Sequence, residues 1–206
     1  MTDRSSPSLT GVVLAGGRAR RMGGRDKGLI PLAGEPLAAR AARLLGPQVD
    51  ALLINANRNR DEYAALLPGV RVVGDATGGF LGPLAGMLAA LEATRTDYVL
   101  TVPCDSPLLR GDYAERMVAA LVAADARLAV AHDGERLQPV FALLQRDLSP
   151  DLRRALGAGE RKIDRWYARH RPALADFGDA PAMFRNVNTP EELQALETGL
   201  RSGQAE

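Results

Sequence analysis

GVVLAGGRARRMGGRDKG, Gly11 to Gly28, sets a short apolar run against a loop of glycines and cations. From Leu14 to Gly28 it carries five glycines and five basic side chains in fifteen residues. The apolar run reads as the end of a buried strand. A glycine-rich loop after such a strand can cradle phosphates, because missing side chains let phosphate oxygens reach backbone N–H groups. Arg20, Arg21, Arg25 and Lys27 add neutralising charge. The short phosphate signatures are absent, however: Asp26 precedes Lys27 where GxxxxGK[ST] needs glycine, and no GxGxxG occurs. The bland alternative is a solvated loop with glycines for turns and arginines for solubility. The strand immediately before it argues for a phosphate site.

Outward from this loop the chain alternates. Strands are expected at Thr10–Leu14, Ala51–Asn55, Val70–Val73, Tyr98–Val102 and Leu128–Ala131. Helices are expected between them: around Leu37, Ala41, Leu44 and Leu45 with Pro36 at the first helical position, over Arg60–Leu67, around Leu84, Leu88 and Leu91 after Gly82-Pro83, and over Asp112–Ala123. Strands separated by helices of this length imply βαβ units and a parallel sheet. Asp133-Gly134 between two apolar runs is a hairpin signal, so Leu128–Leu144 should contain an antiparallel excursion. A helix should start at Ser149-Pro150. Another should follow Thr189, with Pro190 in its first turn and Glu192 completing a capping box. The expected fold is α/β: a single three-layer domain over 1–206, with a Rossmann-like, mostly parallel sheet and a small antiparallel excursion. Residues 1–9 and 201–206 are expected to be frayed ends.

The 206 residues are 46% hydrophobic and 25% charged, with a net charge of +1, which suits a soluble globular chain. A near-neutral chain with 4% aromatics is a poor nucleic-acid binder. No run approaches the ~18–20 apolar residues of a membrane span. The single cysteine, Cys104, rules out an internal disulfide and fits a reducing cytoplasm. The opening MTDRSSPSL has no apolar segment of signal-peptide length, so a cytoplasmic location is expected.

LAGGRARRMGGRDKGL resembles the signature loop of nucleotidyltransferases with a glycosyltransferase-A-like sheet, and RMGG-x-DKGL is similar to the molybdenum cofactor guanylyltransferases, the MobA family. Further matches follow in order: Asn55-Ala56-Asn57-Arg58, Gly82-Pro83-Leu84-Ala85-Gly86-Met87, Cys104-Asp105-Ser106-Pro107, His132-Asp133-Gly134-Glu135-Arg136 and Asn186-Val187-Asn188-Thr189-Pro190. Residues 150–182 match least, and Ser106 stands where threonine is as common.

The resemblance implies transfer of GMP from GTP to the terminal phosphate of molybdopterin, with release of pyrophosphate. It implies Mg2+, or Mn2+ in its place. It divides the domain into a nucleotide-binding half, about 10–110, and an acceptor-binding half, about 111–200. Both reactants are anionic, so the protein must neutralise and align them. Asp105, after a strand between Pro103 and Pro107, is the implied metal ligand; a turn aspartate is the plain alternative. Lys27 and Arg21 are the implied phosphate-binding catalytic groups, Arg for its planar fork. Leu14, Ala15 and Gly16 would line the nucleotide through backbone atoms. Asp75 would accept from the guanine N1–H and amine, and Asn55 would add a contact. Gly24, Gly79, Gly82, Gly86, Asn186 and Asn188 are assigned to the acceptor.

His132 and His170 lack partners at metal-ligand spacing and read as structural. Cys104 and Trp166 read as core. Transient contact with molybdenum-insertion proteins or molybdoenzyme apoproteins is a family expectation. Three alternatives stay open: a CTP-using cytidylyltransferase, a related enzyme with another phosphorylated acceptor, and a non-catalytic nucleotide-binding module. The last need not keep both Lys27 and Asp105.

Overall fold

A computed structural model describes residues 7–16, 26–75 and 82–202. Seven strands form one sheet in the order β5-β4-β1-β6-β8-β7-β9. The strands are β1 (Leu9–Leu14), β4 (Ala51–Asn55), β5 (Arg71–Val73), β6 (Tyr98–Pro103), β7 (Leu128–His132), β8 (Leu137–Gln145) and β9 (Ala173–Asp176). Two-residue strands β2 (Pro31–Leu32) and β3 (Glu35–Pro36) make a separate small hairpin. β1 runs parallel to β4 and β6, and β4 parallel to β5. β8 runs antiparallel between β6 and β7, and β9 returns parallel to β7. The expected excursion is therefore the single reversed strand β8.

The strands bury both faces because consecutive side chains point to opposite sides. Val13, Ile54, Leu100 and Leu143 face the helices α1 (Leu37–Leu45), α2 (Arg60–Leu66) and α4 (Tyr113–Ala123). Val12, Leu53, Val99 and Leu144 face α3 (Pro83–Ala93), α5 (Ser149–Gly157) and α6 (Ile163–Ala168). This is the expected three-layer α/β domain. α3 is apolar nearly all round and sits between the sheet and α5. A third cluster of Ile30, Leu32, Leu37, Val187 and Leu196 fixes the last helix, α7 (Pro190–Arg201), against the β2–β3 hairpin. It brings α7 against the residues that follow Lys27.

Several boundaries differ from expectation. Leu9 already pairs with Tyr98 in β1, and Arg201 closes α7, so neither belongs to a frayed end. The outermost residues, 1–6 and 203–206, lie outside the described residues. Pro36 precedes α1 in extended conformation, because it pairs with Pro31 in the hairpin. β9 and α6 add to the expected elements. The capping box is present as expected: Thr189 accepts from the Glu192 N–H, and Glu192 accepts from the Thr189 N–H. Among the described residues no helix is long and apolar enough to cross a membrane.

Candidate active site

The parallel strands deliver their C-terminal ends to one edge of the sheet, and β1 lies where the strand order turns from β4 to β6. Such a turning point leaves a crevice above the strand ends. Backbone pairing continues one residue past each strand. The Ala15 N–H donates to the Asn55 carbonyl at 2.8 Å, Ala56 to Val73 at 2.9 Å, and Cys104 to Leu14 at 3.1 Å. Gly16, Asn57, Asp75 and Asp105 follow directly.

Lys27 lies in a 3-10 turn, Lys27–Leu29. Its Nζ donates to Asp105 Oδ2 at 2.5 Å and to Asn188 Oδ1 at 2.7 Å. The Lys27 and Asp105 side chains are each 16% exposed, so the pair is shielded yet open to a ligand. Three distant segments thus meet at one ammonium group. The last is tightly held. The Val187 N–H donates to the Asp105 carbonyl at 3.0 Å, and Ser106 Oγ donates to Asn186 Oδ1 at 2.7 Å. The Asn188 N–H donates to Glu192 Oε2 at 2.6 Å, so the capping box that starts α7 also orients Asn188.

A second polar group lies over β4 and β5. Asn55 Nδ2 donates to Asp75 Oδ1 at 3.0 Å, and Asn57 Nδ2 donates to Asp75 Oδ2 at 2.8 Å. The Asp75 N–H returns a bond to Asn57 Oδ1 at 2.8 Å. Two amides therefore aim one carboxylate. Each carboxylate oxygen keeps acceptor capacity, since an ionised carboxylate offers about four lone-pair positions. Gly16 borders this group: a Cβ there would lie 3.2 Å from Asn57 Nδ2.

The sequence assignments fall into these two groups. Lys27, Asp105, Asn186 and Asn188 come together, as do Leu14, Ala15, Gly16, Asn55 and Asp75. Gly86, assigned to the acceptor, stands with the second group. A Cβ there would come within 3.0 Å of Leu14 Cδ2 and into Asn55 Oδ1, so glycine lets α3 pass close to β1 and β4. Gly82 precedes α3 at φ 84°, a conformation that favours glycine. Arg21, Gly24 and Gly79 lie outside the described residues, as do Arg18, Arg20 and Arg25. Sequence reasoning does not assign Asn57 to the site, although it stands in the quoted Asn55-Ala56-Asn57-Arg58 match. Two amides bracketing one alanine at a strand end were the available signal.

Cys104 is buried, and burial pushes its thiol well up. Trp166 is fully buried and donates Nε1 to Asp151 Oδ2 at 2.9 Å. His170 meets the same oxygen at 3.0 Å, and His132 Nδ1 accepts from the Gly134 N–H at 3.1 Å. Each has an ordinary structural partner.

Residues 11–173 match the MobA-like NTP transferase domain. The molybdenum cofactor guanylyltransferase of Shewanella loihica is 51% identical over 195 residues, covering 95% of this chain and 98% of that protein. The protein of that name from Shewanella sp. strain MR-4 is 53% identical over 191 residues, covering 93% and 96%. Among solved structures, molybdopterin-guanine dinucleotide biosynthesis protein A from Archaeoglobus fulgidus shares the fold with a TM-score of 0.78. It is 22% identical and covers 94% of this chain and 99% of its own.

Proposed function

The chain belongs to the MobA-like NTP transferase family, and from that premise we propose that it is a molybdenum cofactor guanylyltransferase. It transfers GMP from GTP to molybdopterin and so forms the guanine dinucleotide of the cofactor. A terminal phosphate oxygen of molybdopterin bonds to the α-phosphorus of GTP. The bond from that phosphorus to the bridging oxygen breaks, and pyrophosphate leaves with the electron pair. Little covalent work falls to the protein in such a transfer; its task is alignment and charge neutralisation.

The observation that carries this reading is the meeting of Lys27, Asp105 and Asn188 beyond the end of β6. Lys27 binds phosphate oxygens and stabilises the charge that builds on the departing pyrophosphate. Triphosphate entry exchanges its contact with Asp105 for phosphate contacts. Asn188 holds the ammonium group in place from the acceptor side, which gives it a second task beside the pterin contact expected of it. Asn186, through Ser106, keeps the acceptor-side segment against the strand end.

Asp105 fits a role as Mg2+ ligand. It is a lone, partly exposed carboxylate beside a phosphate-binding lysine, and among the described residues Oδ1 has no protein donor. Mg2+ commonly takes one or two carboxylates and completes its shell with phosphate oxygens and water. When bound, it would neutralise triphosphate charge and draw electron density from the α-phosphorus. Asp75, aimed by Asn55 and Asn57, supplies the paired acceptor that the guanine N1–H and amine require and that cytosine does not match. Arg21 adds charge from the glycine-rich loop.

The test is pyrophosphate release with molybdopterin, Mg2+ and either GTP or CTP. Release with GTP and little with CTP is expected. Release with CTP alone would move the activity to a cytidylyltransferase and remove Asp75 from guanine selection.

A further inference from the structure

Behind Lys27 lies a buried carboxylate that the transfer reaction does not use. Asp26 is 6% exposed, and its side chain only 2%. Its Oδ1 accepts from the Tyr63 hydroxyl at 2.6 Å. Its Oδ2 accepts from Asn59 Nδ2 at 3.1 Å and lies 3.5 Å from Arg58 Nε. Tyr63 is fully buried in α2, and Asn59, just before that helix, adopts the left-handed conformation at φ 51°. On the other side of Lys27, Gly28 packs against the hydroxyl end of Tyr63. A Cβ at Gly28 would lie 3.1 Å from Tyr63 Cε1 and Cζ and would run into the hydroxyl. Lys27 is therefore flanked by two residues fitted to one tyrosine.

A buried carboxylate is costly unless its hydrogen bonds are made, and here they are made to one short segment, Arg58 to Tyr63. That segment continues from Asn55 and Asn57, which aim Asp75. The Asp26 carbonyl also accepts from the Leu29 N–H at 3.1 Å and the Lys27 carbonyl from the Ile30 N–H at 3.2 Å, which closes the turn carrying Lys27. We propose that the Tyr63–Asp26 hydrogen bond is a positioning device for the reaction: it fixes the backbone of Lys27 to α2, so that the phosphate-binding ammonium group and the base-selecting carboxylate are both tied to one continuous stretch of chain, Asn55 to Tyr63. Tyr63, Asp26 and Asn59 are positioning residues that touch no substrate. The consequence for catalysis rests on the guanylyltransferase reading.

The test compares Tyr63→Phe with the wild type, alone and combined with Lys27→Ala. The phenyl ring keeps the packing and removes the donor, and thermal unfolding checks that the fold persists. In Tyr63→Phe, kcat for GMP transfer should fall about tenfold or more while KM for GTP stays within about threefold, since small misplacements of a catalytic group are costly. In the Lys27→Ala background the same change should cost less than about threefold, because residues acting through one group are not additive. Amide hydrogen exchange, which needs no acceptor, should quicken about tenfold at Leu29 and Ile30 relative to Val12 and Val13. Equal proportional losses of kcat in both backgrounds, or unchanged exchange at Leu29 and Ile30, would overturn the proposal. Exchange that quickens in Tyr63→Phe as described, with no pyrophosphate released by the wild type, would overturn the guanylyltransferase reading and leave the anchor standing.

Discussion

The two sides of the sheet use the same kinds of residue differently. On one side, Asp75, Asn55, Gly16 and Asp105 stand at or two residues beyond the C-terminal ends of β5, β4, β1 and β6, and their partners lie across strands and far along the chain. Asp105 meets Lys27, 78 positions away, and Lys27 meets Asn188, 161 away. On the other side, the C-terminal ends of β7 and β9 carry aspartates satisfied close by. Asp133 Oδ1 accepts from the N–H groups of Glu135 and Arg136, and its Oδ2 accepts from Gln138 Nε2. Asp176 Oδ1 accepts from the Gly178 N–H. A carboxylate that closes its own turn stabilises a fold. One that waits on a lysine from another element can exchange that partner for a ligand.

Breaking the first side should therefore destroy turnover, and breaking the second should disturb only stability. Asp105→Ala carries the largest expected effect: transfer falls below detection in a pyrophosphate assay, while circular dichroism shows an intact fold. Lys27→Ala comes next, with kcat lower by about 10²–10³, the usual loss when one preorganised donor to developing charge is removed. Asp75→Asn should act on selection rather than rate. It replaces one acceptor oxygen with an amide that faces the Asn55 or Asn57 donor, so the GTP-over-CTP ratio of kcat/KM should fall about tenfold, the loss expected for one charge-assisted contact. An undiminished ratio would place guanine selection elsewhere.

The smallest effect belongs to Asp133. The backbone N–H groups of Arg136 and Glu135, with Gln138, hold its carboxyl down to about 2. Its folded value lies below the ordinary aspartate value of about 3.9, so the stability it contributes is complete above pH ~4. That contribution is lost as pH falls from about 4 toward 2. Asp133→Asn keeps an acceptor for both N–H groups but does not titrate. Melting temperatures should therefore fall less steeply in the variant than in the wild type across that range.

This contrast also explains what could be read from sequence. The parallel side was legible because its apolar runs end in glycine, asparagine or aspartate and alternate with helices. Strand Ala51–Asn55 and the Thr189 capping box stand where expected. The far edge was not, because Ala173–Asp176 is a four-residue strand with Leu174 exposed, too short and too weakly apolar to stand out. Within the site, residue types suited to phosphate and metal were visible, but their pairings were not. Nothing local to Asp26 shows that its partner is Tyr63, and nothing near Gly86 shows that Asn55 sits against it. Asn188 looked like an acceptor contact because asparagine suits a pterin edge. Its bond to Lys27 depends on α7 docking onto the β2–β3 hairpin, a tertiary event with no signature around residue 188.

The most direct measurement sets the two sides beside each other: kcat for pyrophosphate release at neutral pH in Asp105→Ala and in Asp133→Asn, each with its fold verified. The predicted result is no detectable turnover in the first and a rate within about twofold of wild type in the second, since of the two only Asp105 is proposed to hold Mg2+ beside the triphosphate. Near-normal turnover in Asp105→Ala would contradict the account and move the reaction away from the ends of the parallel strands.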